Sequence, residues 1–213
     1  GVTLAELDAL ADSEIEKQAG TPSFKTVPGY KWATCININQ GVVHGIPNGY
    51  RIKEGDLVSV DLGMLYGGFH TDMAWTVAVG GQNEEFLKAG GKALEQAIKV
   101  AKDGNFVAHI SKAIEKTIRK AGFSPVEALT GHGVGKKLHE EPAIPCFWEG
   151  SVKDSPWLYS GMVLAIEVIY AQGQPDVVLG SDGWTIETAD GKPAGLFEQT
   201  VAITAKGPVI ITA

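Results

Sequence analysis

The sequence predicts an α+β fold built from two related halves, and three observations support this prediction. Amphipathic helical periodicity alternates with short β-rich runs along the 213 residues of the chain. Two of the β-rich runs are separated by a glycine-containing turn, which indicates an antiparallel connection. An internal repeat with a period of roughly a hundred residues, much longer than the period of a solenoid, indicates a duplicated half-domain.

The first half begins with a predicted helix and continues into strands. Apolar residues recur at helical spacing from Val2 to Ile15, and Gly20 with Pro22 ends that pattern. Apolar and polar residues then alternate over residues 34–43, which predicts short strands.

The middle of the chain predicts a hairpin followed by two helices. The β-rich runs 57–65 and 69–79 are joined by a Tyr-Gly-Gly turn at residues 66–68. Helical periodicity marks residues 84–102 and then residues 107–121, where Gly122 ends the pattern. The last third returns to predicted strands at residues 163–170, 184–188, 196–204 and 209–211.

The repeat places carboxylates at matching positions in the two halves. Asp61 and Glu167 each lie six residues after a glycine that opens a β-rich run, while Asp72 and Glu198 each precede the next run. A buried, ionised carboxylate is costly unless a cation or a hydrogen-bond network compensates its charge. Any one of these carboxylates, taken alone, is equally well explained by a position on the solvent-facing side of its strand. The repetition in both halves favours a shared cation site.

A nitrogen ligand is offered by His132 in the segment Thr-Gly-His-Gly-Val-Gly at residues 130–135. Its glycines are interpreted as space for a ligand beside the imidazole, although a glycine-flanked histidine alone is a weak motif. Carboxylates with one imidazole suit Mn²⁺, Fe²⁺, Co²⁺ or Zn²⁺, and four carboxylates exceed the needs of one ion. Paired ions about 3.5–4 Å apart activate a shared water. The residues therefore predict hydrolysis with two divalent metal ions.

Composition argues against several other classes of protein. The net charge of −7 and the lack of a Lys/Arg cluster argue against nucleic-acid binding. The longest apolar stretch, residues 162–171, is interrupted by Glu167 and too short to span a bilayer, and residues 1–10 do not resemble a signal peptide. The cysteines Cys35 and Cys146 cannot form a disulfide framework. We therefore expect a cytoplasmic protein with no nucleic-acid or membrane partner.

Short motifs follow one another in a specific order along nearly the whole chain. They are Val43-His-Gly-Ile-Pro47, Val60-Asp-Leu-Gly63, His70-Thr-Asp72, Thr130-Gly-His-Gly-Val-Gly135, His139-Glu-Glu-Pro142, Ile166-Glu167 and Phe197-Glu-Gln-Thr200. In order and spacing, the chain resembles the type I methionine aminopeptidases of metallopeptidase family M24, which have the pita-bread fold. The resemblance implies two pseudo-symmetric α/β halves around a central antiparallel sheet, in a single catalytic domain over residues 1–213.

The same resemblance implies a ligand set and an activity. Asp61 would bind one ion, His132 and Glu167 the other, and Asp72 and Glu198 would bridge the two. The activity would be removal of the initiator methionine from nascent polypeptides, at the ribosome, by a monomer.

Substrate-binding roles are also implied by the resemblance. His44 and His139 would contact the groups that flank the scissile bond, and Glu167 would transfer the proton. The pocket for the methionine side chain would be lined by Tyr30, Cys35 and Trp184. Core packing remains an alternative role for Cys35. Departures from the family pattern that affect the shape of the pocket occur at Leu138, Val168 and Gln199.

Two other functions share the same ligand set or fold. A proline-specific dipeptidase or aminopeptidase would carry the same five ligands, but the motifs at residues 43–47 and 139–142 favour the methionine enzyme. A non-catalytic binding module of this fold would be expected to lack ligands, and none is missing here.

The repeat leaves one helix without a counterpart. In the second half the predicted helix 84–102 precedes Gly104 and the predicted helix 107–121. In the first half the chain starts at Gly1, directly before the corresponding helix. The resemblance places an additional N-terminal helix and strand before this point. A truncated chain, a proteolysed remnant and a naturally short form covered by a partner all remain open. Each predicts an uncovered apolar patch at the counterpart position.

Overall fold

A computed structural model describes residues 1–212 of the chain. Its α-helices are α1 (Leu4–Lys17), α2 (Glu84–Val100) and α3 (Val107–Lys120), with short 3-10 helices at Ser23–Thr26 and Val152–Asp154. The strands of the first half are β1 (Thr21–Pro22), β2 (Thr34–Ile38), β3 (Gly41–Val43), β4 (Leu57–Leu62), β5 (Met64–Tyr66), β6 (Phe69–His70) and β7 (Met73–Ala78). Those that follow are β8 (Ser124–Pro125), β9 (Thr130–Gly133), β10 (Glu140–Pro145), β11 (Val163–Ala171), β12 (Val177–Leu179), β13 (Ile186–Thr188), β14 (Ala194–Thr204) and β15 (Gly207–Ile210).

The strands form one large antiparallel sheet and two small ones. The large sheet has the order β10-β9-β11-β14-β7-β4-β2, with β8 beside β11 and β15 beside β14. The smaller sheets have the orders β1-β5-β6 and β12-β13-β3. The two halves of the chain meet where β7 pairs with β14, at Ala74 opposite Glu198 and Met73 opposite Gln199. We call this β7/β14 junction the seam.

Helices α2 and α3 cover the second half of the large sheet. The buried face of α2 is lined by small residues, including Ala89, Gly90 and Ala93. A Cβ atom at Gly90 would lie 2.6 Å from the Tyr170 hydroxyl and closer still to the Phe197 ring. This position therefore requires glycine for α2 to lie so close to β11 and β14. Within residues 1–212, no helix combines the length and apolar character that crossing a membrane requires.

Helix α1 is fixed to the first half by its cap and by one aspartate. Thr3 and Glu6 form a capping box, in which the Thr3 hydroxyl accepts from the Glu6 N–H and the Glu6 carboxylate accepts from the Thr3 N–H. Further along the helix, Asp8 Oδ1 accepts hydrogen bonds of 2.8–2.9 Å from the Ala33 N–H and from the N–H and hydroxyl of Thr34. These bonds hold the start of β2 against α1.

The predicted hairpin of residues 57–79 divides into two parts. Strands β4 and β7 pair in the large sheet, whereas β5 and β6 form a separate hairpin that pairs with β1. The break occurs at Gly63, whose carbonyl accepts from the Ser23 N–H at 2.9 Å. A Cβ atom at Gly63 would meet the Ser23 side chain at 3.0 Å, so the chain leaves the large sheet where only glycine fits.

The outer face of β7 has exposed apolar residues. Trp75 and Val77 are 44% and 48% exposed, and with Leu87 and Phe197 they line an open groove beside α2.

Candidate metal centre

Strand register brings the predicted ligands to one region around the seam. Asp61 on β4 and Glu198 on β14 both lie opposite Ala74 of β7. Asp72 lies two residues before Ala74, so its side chain is on the same face. On the other side of β14, Glu167 of β11 lies directly opposite Glu198.

The histidine of the cluster lies on β9, the next strand. His132 is opposite Ala165 of β11. Its Nε2 atom lies 3.6 Å from Glu167 Oε1 and 3.8 Å from Asp72 Oδ2. Its Nδ1 atom lies 2.8 Å from the Gly133 carbonyl, which can only accept, so Nδ1 carries the proton and Nε2 keeps a free lone pair. Ligand atoms of Asp72, His132 and Glu198 all lie within 4.8 Å of one another.

The glycines on either side of His132 serve strand packing. A Cβ atom at Gly131 would lie 2.5 Å from the Ala165 carbonyl oxygen, and one at Gly133 would lie 2.8 Å from the Glu141 carbonyl carbon. The space beside these glycines is therefore filled by the backbones of neighbouring strands. The sequence interpretation that they leave room for a ligand beside the imidazole was wrong, although His132 itself lines the cavity.

Burial raises the carboxyl pKa values of the cluster. It is the largest cause for Asp61, Glu167 and Glu198, whose carboxyl pKa values are raised further by neighbouring carboxylates. Burial raises the pKa of Asp72 to about 7. The same desolvation lowers the pKa of His132 to about 4, so the imidazole is neutral at physiological pH.

Several buried oxygen atoms of the cluster lack hydrogen-bond partners. Among the described residues, Asp61 Oδ1, Asp72 Oδ1 and Glu198 Oε1 are buried without one. Buried carboxylate oxygens in this condition are energetically costly. Hard divalent cations bind such oxygens together with an imidazole nitrogen, so the residues present fit a metal site.

Two further histidines reach into the same cavity. The His139 ring lies 4.5 Å from the His132 ring, centroid to centroid. His44 has a left-handed backbone with a φ of 60°, which costs a non-glycine residue about 1–3 kcal/mol and is found preferentially at functional sites. Both side chains line the cavity and are exposed to solvent. Partial desolvation, followed by the charge of a neighbouring histidine, lowers the pKa of each imidazole.

A cavity of about 170 Å³ joins the cluster to an apolar pocket. Tyr30 and Trp184 are in edge-to-face contact in this pocket, with ring centroids 5.1 Å apart, and Cys35 lies beside them. The Tyr30 hydroxyl donates to the Thr34 carbonyl at 2.8 Å, which fixes the ring. The cavity is lined by all of the sequence-predicted site residues, namely Tyr30, Cys35, His44, Asp61, Asp72, His132, His139, Glu167, Trp184 and Glu198.

Sequence reasoning missed two residues of the pocket wall and left two others, Val43 and Leu138, without a role in the site. Phe24 and Val27 line the cavity but lie within and directly after the short 3-10 helix Ser23–Thr26, which carries no motif, so no sequence signal identified them. Leu138 was noted only as a departure from the family pattern, and it also lines the cavity.

Comparison with known proteins agrees with this geometry. A sequence profile of metallopeptidase family M24 matches residues 1–205. The chain belongs to this family. Among curated M24 relatives, the methionine aminopeptidases of Aquifex aeolicus and Clostridium perfringens are 44% and 41% identical to it, over 100% of this chain and 86% of each relative.

Solved structures confirm the predicted pita-bread fold. The chain is similar to the methionine aminopeptidase of Thermotoga maritima, with a TM-score of 0.95 and 39% identity over 100% of this chain and 86% of that one. Another solved structure, the prolidase of Pyrococcus furiosus, has a TM-score of 0.77 and 26% identity, and this chain covers 56% of it.

Proposed function

We propose that this M24 chain removes the amino-terminal methionine from polypeptides by hydrolysis at a pair of divalent metal ions. The observation that carries the proposal is the single cavity, in which a carboxylate and histidine cluster opens directly onto an apolar pocket. Full-length similarity to proteins named methionine aminopeptidase supports the choice of substrate.

Charge balance supports two ions. The four carboxylates carry a charge of −4 when ionised, and two divalent ions supply +4, which makes the buried cluster neutral. In the proposed arrangement Asp61 would hold one ion, His132 and Glu167 would hold the other, and Asp72 and Glu198 would be shared by both. Among the described residues, Asp61, Asp72 and Glu198 each have a buried carboxylate oxygen without a hydrogen-bond partner, and these oxygens are available to a cation. Mn²⁺, Fe²⁺, Co²⁺ and Zn²⁺ all suit this donor set.

The metal pair, when bound, lowers the pKa of a shared water and polarises the substrate carbonyl. Glu167 accepts a proton from the attacking water and returns it to the leaving amine, because its carboxylate lines the cavity in which both groups are held. His44 and His139, kept neutral by their lowered pKa values, donate N–H hydrogen bonds to substrate groups on either side of the scissile bond without repelling the cations.

The apolar pocket explains the preference for methionine. The edge-to-face rings of Tyr30 and Trp184 present π surfaces to a thioether, and sulfur–aromatic contacts are favourable. Cys35 adds a small, polarisable wall beside them. In the cell, the substrates are the amino termini of nascent polypeptides, which the chain meets as a cytoplasmic monomer at the ribosome.

The second candidate function is cleavage of Xaa-Pro peptides, because a prolidase shares the fold. Metal-stripped chain supplied with Mn²⁺, Fe²⁺ or Co²⁺ should therefore be tested on Met-Ala-Ser and Ala-Pro-Ala in parallel. We expect Met-Ala-Ser to be cleaved far faster, by release of methionine. The opposite ranking would replace the proposal with the proline-specific activity, and no cleavage of either peptide with any metal would favour the non-catalytic module.

A further inference from the structure

The seam is held together partly by threonine hydroxyl groups. Backbone pairing between β7 and β14 covers only Ala74 with Glu198 and Met73 with Gln199. At the next position after Gln199, where Thr200 lies opposite Asp72, the Thr200 hydroxyl lies between the strands. It donates to the Asp72 carbonyl at 2.7 Å and accepts from the Asp72 N–H at 2.8 Å.

The other end of the seam has a similar arrangement with the strands exchanged, although the Thr76 hydroxyl there also lies 2.8 Å from the Ser59 hydroxyl oxygen. The Thr76 hydroxyl of β7 donates to the Leu196 carbonyl and accepts from the Leu196 N–H, both at 2.8 Å. Each threonine therefore replaces the direct backbone bonds that its register position would otherwise form. A threonine hydroxyl therefore bridges β7 and β14 on each side of the pair Ala74 and Glu198.

The two threonines differ in what they hold. Thr200 forms hydrogen bonds with the backbone of Asp72, whose carboxylate lies in the cluster. Thr200 also lies two residues after Glu198 in the same strand. Thr76 bonds the backbone of Leu196, whose side chain is apolar and belongs to the core. Thr200 is fully buried, and its own N–H donates to the Thr212 hydroxyl at 2.9 Å, so its position is fixed from both sides.

We infer that Thr200 is a positioning residue of the metal centre. Its hydroxyl fixes the Asp72 backbone relative to β14, so that the carboxylates of Asp72 and Glu198 face the same ions from opposite sides of the seam. This inference rests on the proposed function, in which both carboxylates bridge the metal pair.

The test compares Thr200→Val, which keeps the side-chain shape but removes the hydroxyl, with Thr200→Ser, which keeps the hydroxyl. Mn²⁺ binding to the metal-stripped full chain is measured by calorimetry, and kcat and KM are measured on Met-Ala-Ser. Loss of an outer partner of a metal ligand typically costs about 10- to 100-fold in affinity or activity. We expect Thr200→Val to lower the affinity for the second Mn²⁺ ion and to lower kcat by this factor, with little change in KM. Thr200→Ser should keep the wild-type affinity and kcat.

Thr76→Val is the matched control because it removes the equivalent hydroxyl from the other end of the seam. It should lower the melting temperature as Thr200→Val does, but leave Mn²⁺ affinity at the wild-type value. Equal losses of metal affinity in both valine variants would overturn the inference, because the hydroxyls would then act only on stability. If Thr200→Val does not fold, Thr200→Ala and Thr200→Ser give the same comparison.

The stoichiometry of the wild-type chain separates this inference from the proposed function. Two ions on the wild type with unchanged binding and kcat in Thr200→Val would overturn the inference alone. A single ion on the wild type would overturn the dinuclear centre, and the inference with it.

Discussion

The two halves of the molecule share a sheet but differ in how that sheet is covered. In the second half α2 packs over β11 and β14, while α3 packs against α2, β8 and β10. Ile110, Ile114 and Ile118 of α3 are fully buried. In the first half α1 buries only Leu4 and Ile15. The first half therefore contributes a smaller apolar core, and its strand β7 keeps an open apolar face.

The metal cluster takes ligands from both halves despite this difference. The first half supplies Asp61 and Asp72, and the second half supplies His132, Glu167 and Glu198. Segments with fewer buried contacts open locally at lower free energy than the core. The site should therefore be lost when the first half opens, before the second half unfolds. Bound metal should make the two halves unfold together, because it binds only when ligands from both are in place.

The largest effect expected from this comparison is the loss of a bridging ligand from either half. Asp72→Ala and Glu198→Ala should each abolish binding of the ion pair and lower turnover by more than the roughly hundredfold typical of an outer partner. Gln199→Ala, at the neighbouring position on β14, is the control. Titration with Mn²⁺ and assay on Met-Ala-Ser measure both properties. A Glu198→Ala chain that keeps two ions and a near-normal rate would refute the bridging assignment.

The two cavity histidines come from different halves and should behave alike. His44→Ala and His139→Ala should keep the metal ions but lose about a hundred- to a thousandfold in kcat, the usual cost of removing one donor to a developing charge. His109→Ala on α3 is an imidazole control outside the cavity. Loss of bound metal in either cavity variant would mean that the histidine is a ligand.

The close packing of the second half can be tested at adjacent glycines. Gly90→Ala forces its methyl group against Tyr170 and Phe197, so it should destabilise the chain by about 1–3 kcal/mol. Gly91→Ala meets nothing within 4 Å and should stabilise α2 by up to about 1 kcal/mol. Urea unfolding of both variants measures the difference. Similar shifts of the same sign would contradict the packing described for α2.

The pH dependence of stability should reveal the protons that the carboxylate cluster binds when metal is removed. Its carboxyl pKa values are raised in the folded chain, so the folded form binds more protons than the unfolded form above about pH 4. With chelator present, the contribution of these groups to stability should therefore fall as pH rises through about 7, the folded pKa of Asp72. Mn²⁺ should remove this fall, because metal replaces the protons. Melting temperatures with chelator and with Mn²⁺ across this range test both statements.

The smallest effect is expected on the open face of the first half. Val77→Thr changes a side chain that is 48% exposed, so the free energy of unfolding should change by no more than about 0.5 kcal/mol. Val58→Thr, on the adjacent strand, is the buried counterpart and should cost several times more. A large loss in Val77→Thr would show that this face is covered in solution.

The ligands were predictable because the repeat displays carboxylates at matching positions, and Glu167 opposite Glu198 follows from simple strand pairing. Strands β9 and β10 were not predicted, because glycine, histidine and proline replace the apolar alternation that indicates a strand. The division of the hairpin at Gly63 depends on contact with the distant Ser23. The role of Thr200 depends on a hydrogen bond across the seam, which no local pattern reveals.

The most direct test of the dinuclear peptidase centre is the rate of methionine release from Met-Ala-Ser as Mn²⁺ is added stepwise to the metal-stripped chain. If both halves supply ligands to one pair of bridged ions, the rate should rise until two ions are bound per chain and then level off. A rate that levels off at one ion, or that stays at zero while two ions bind, would contradict the proposed centre.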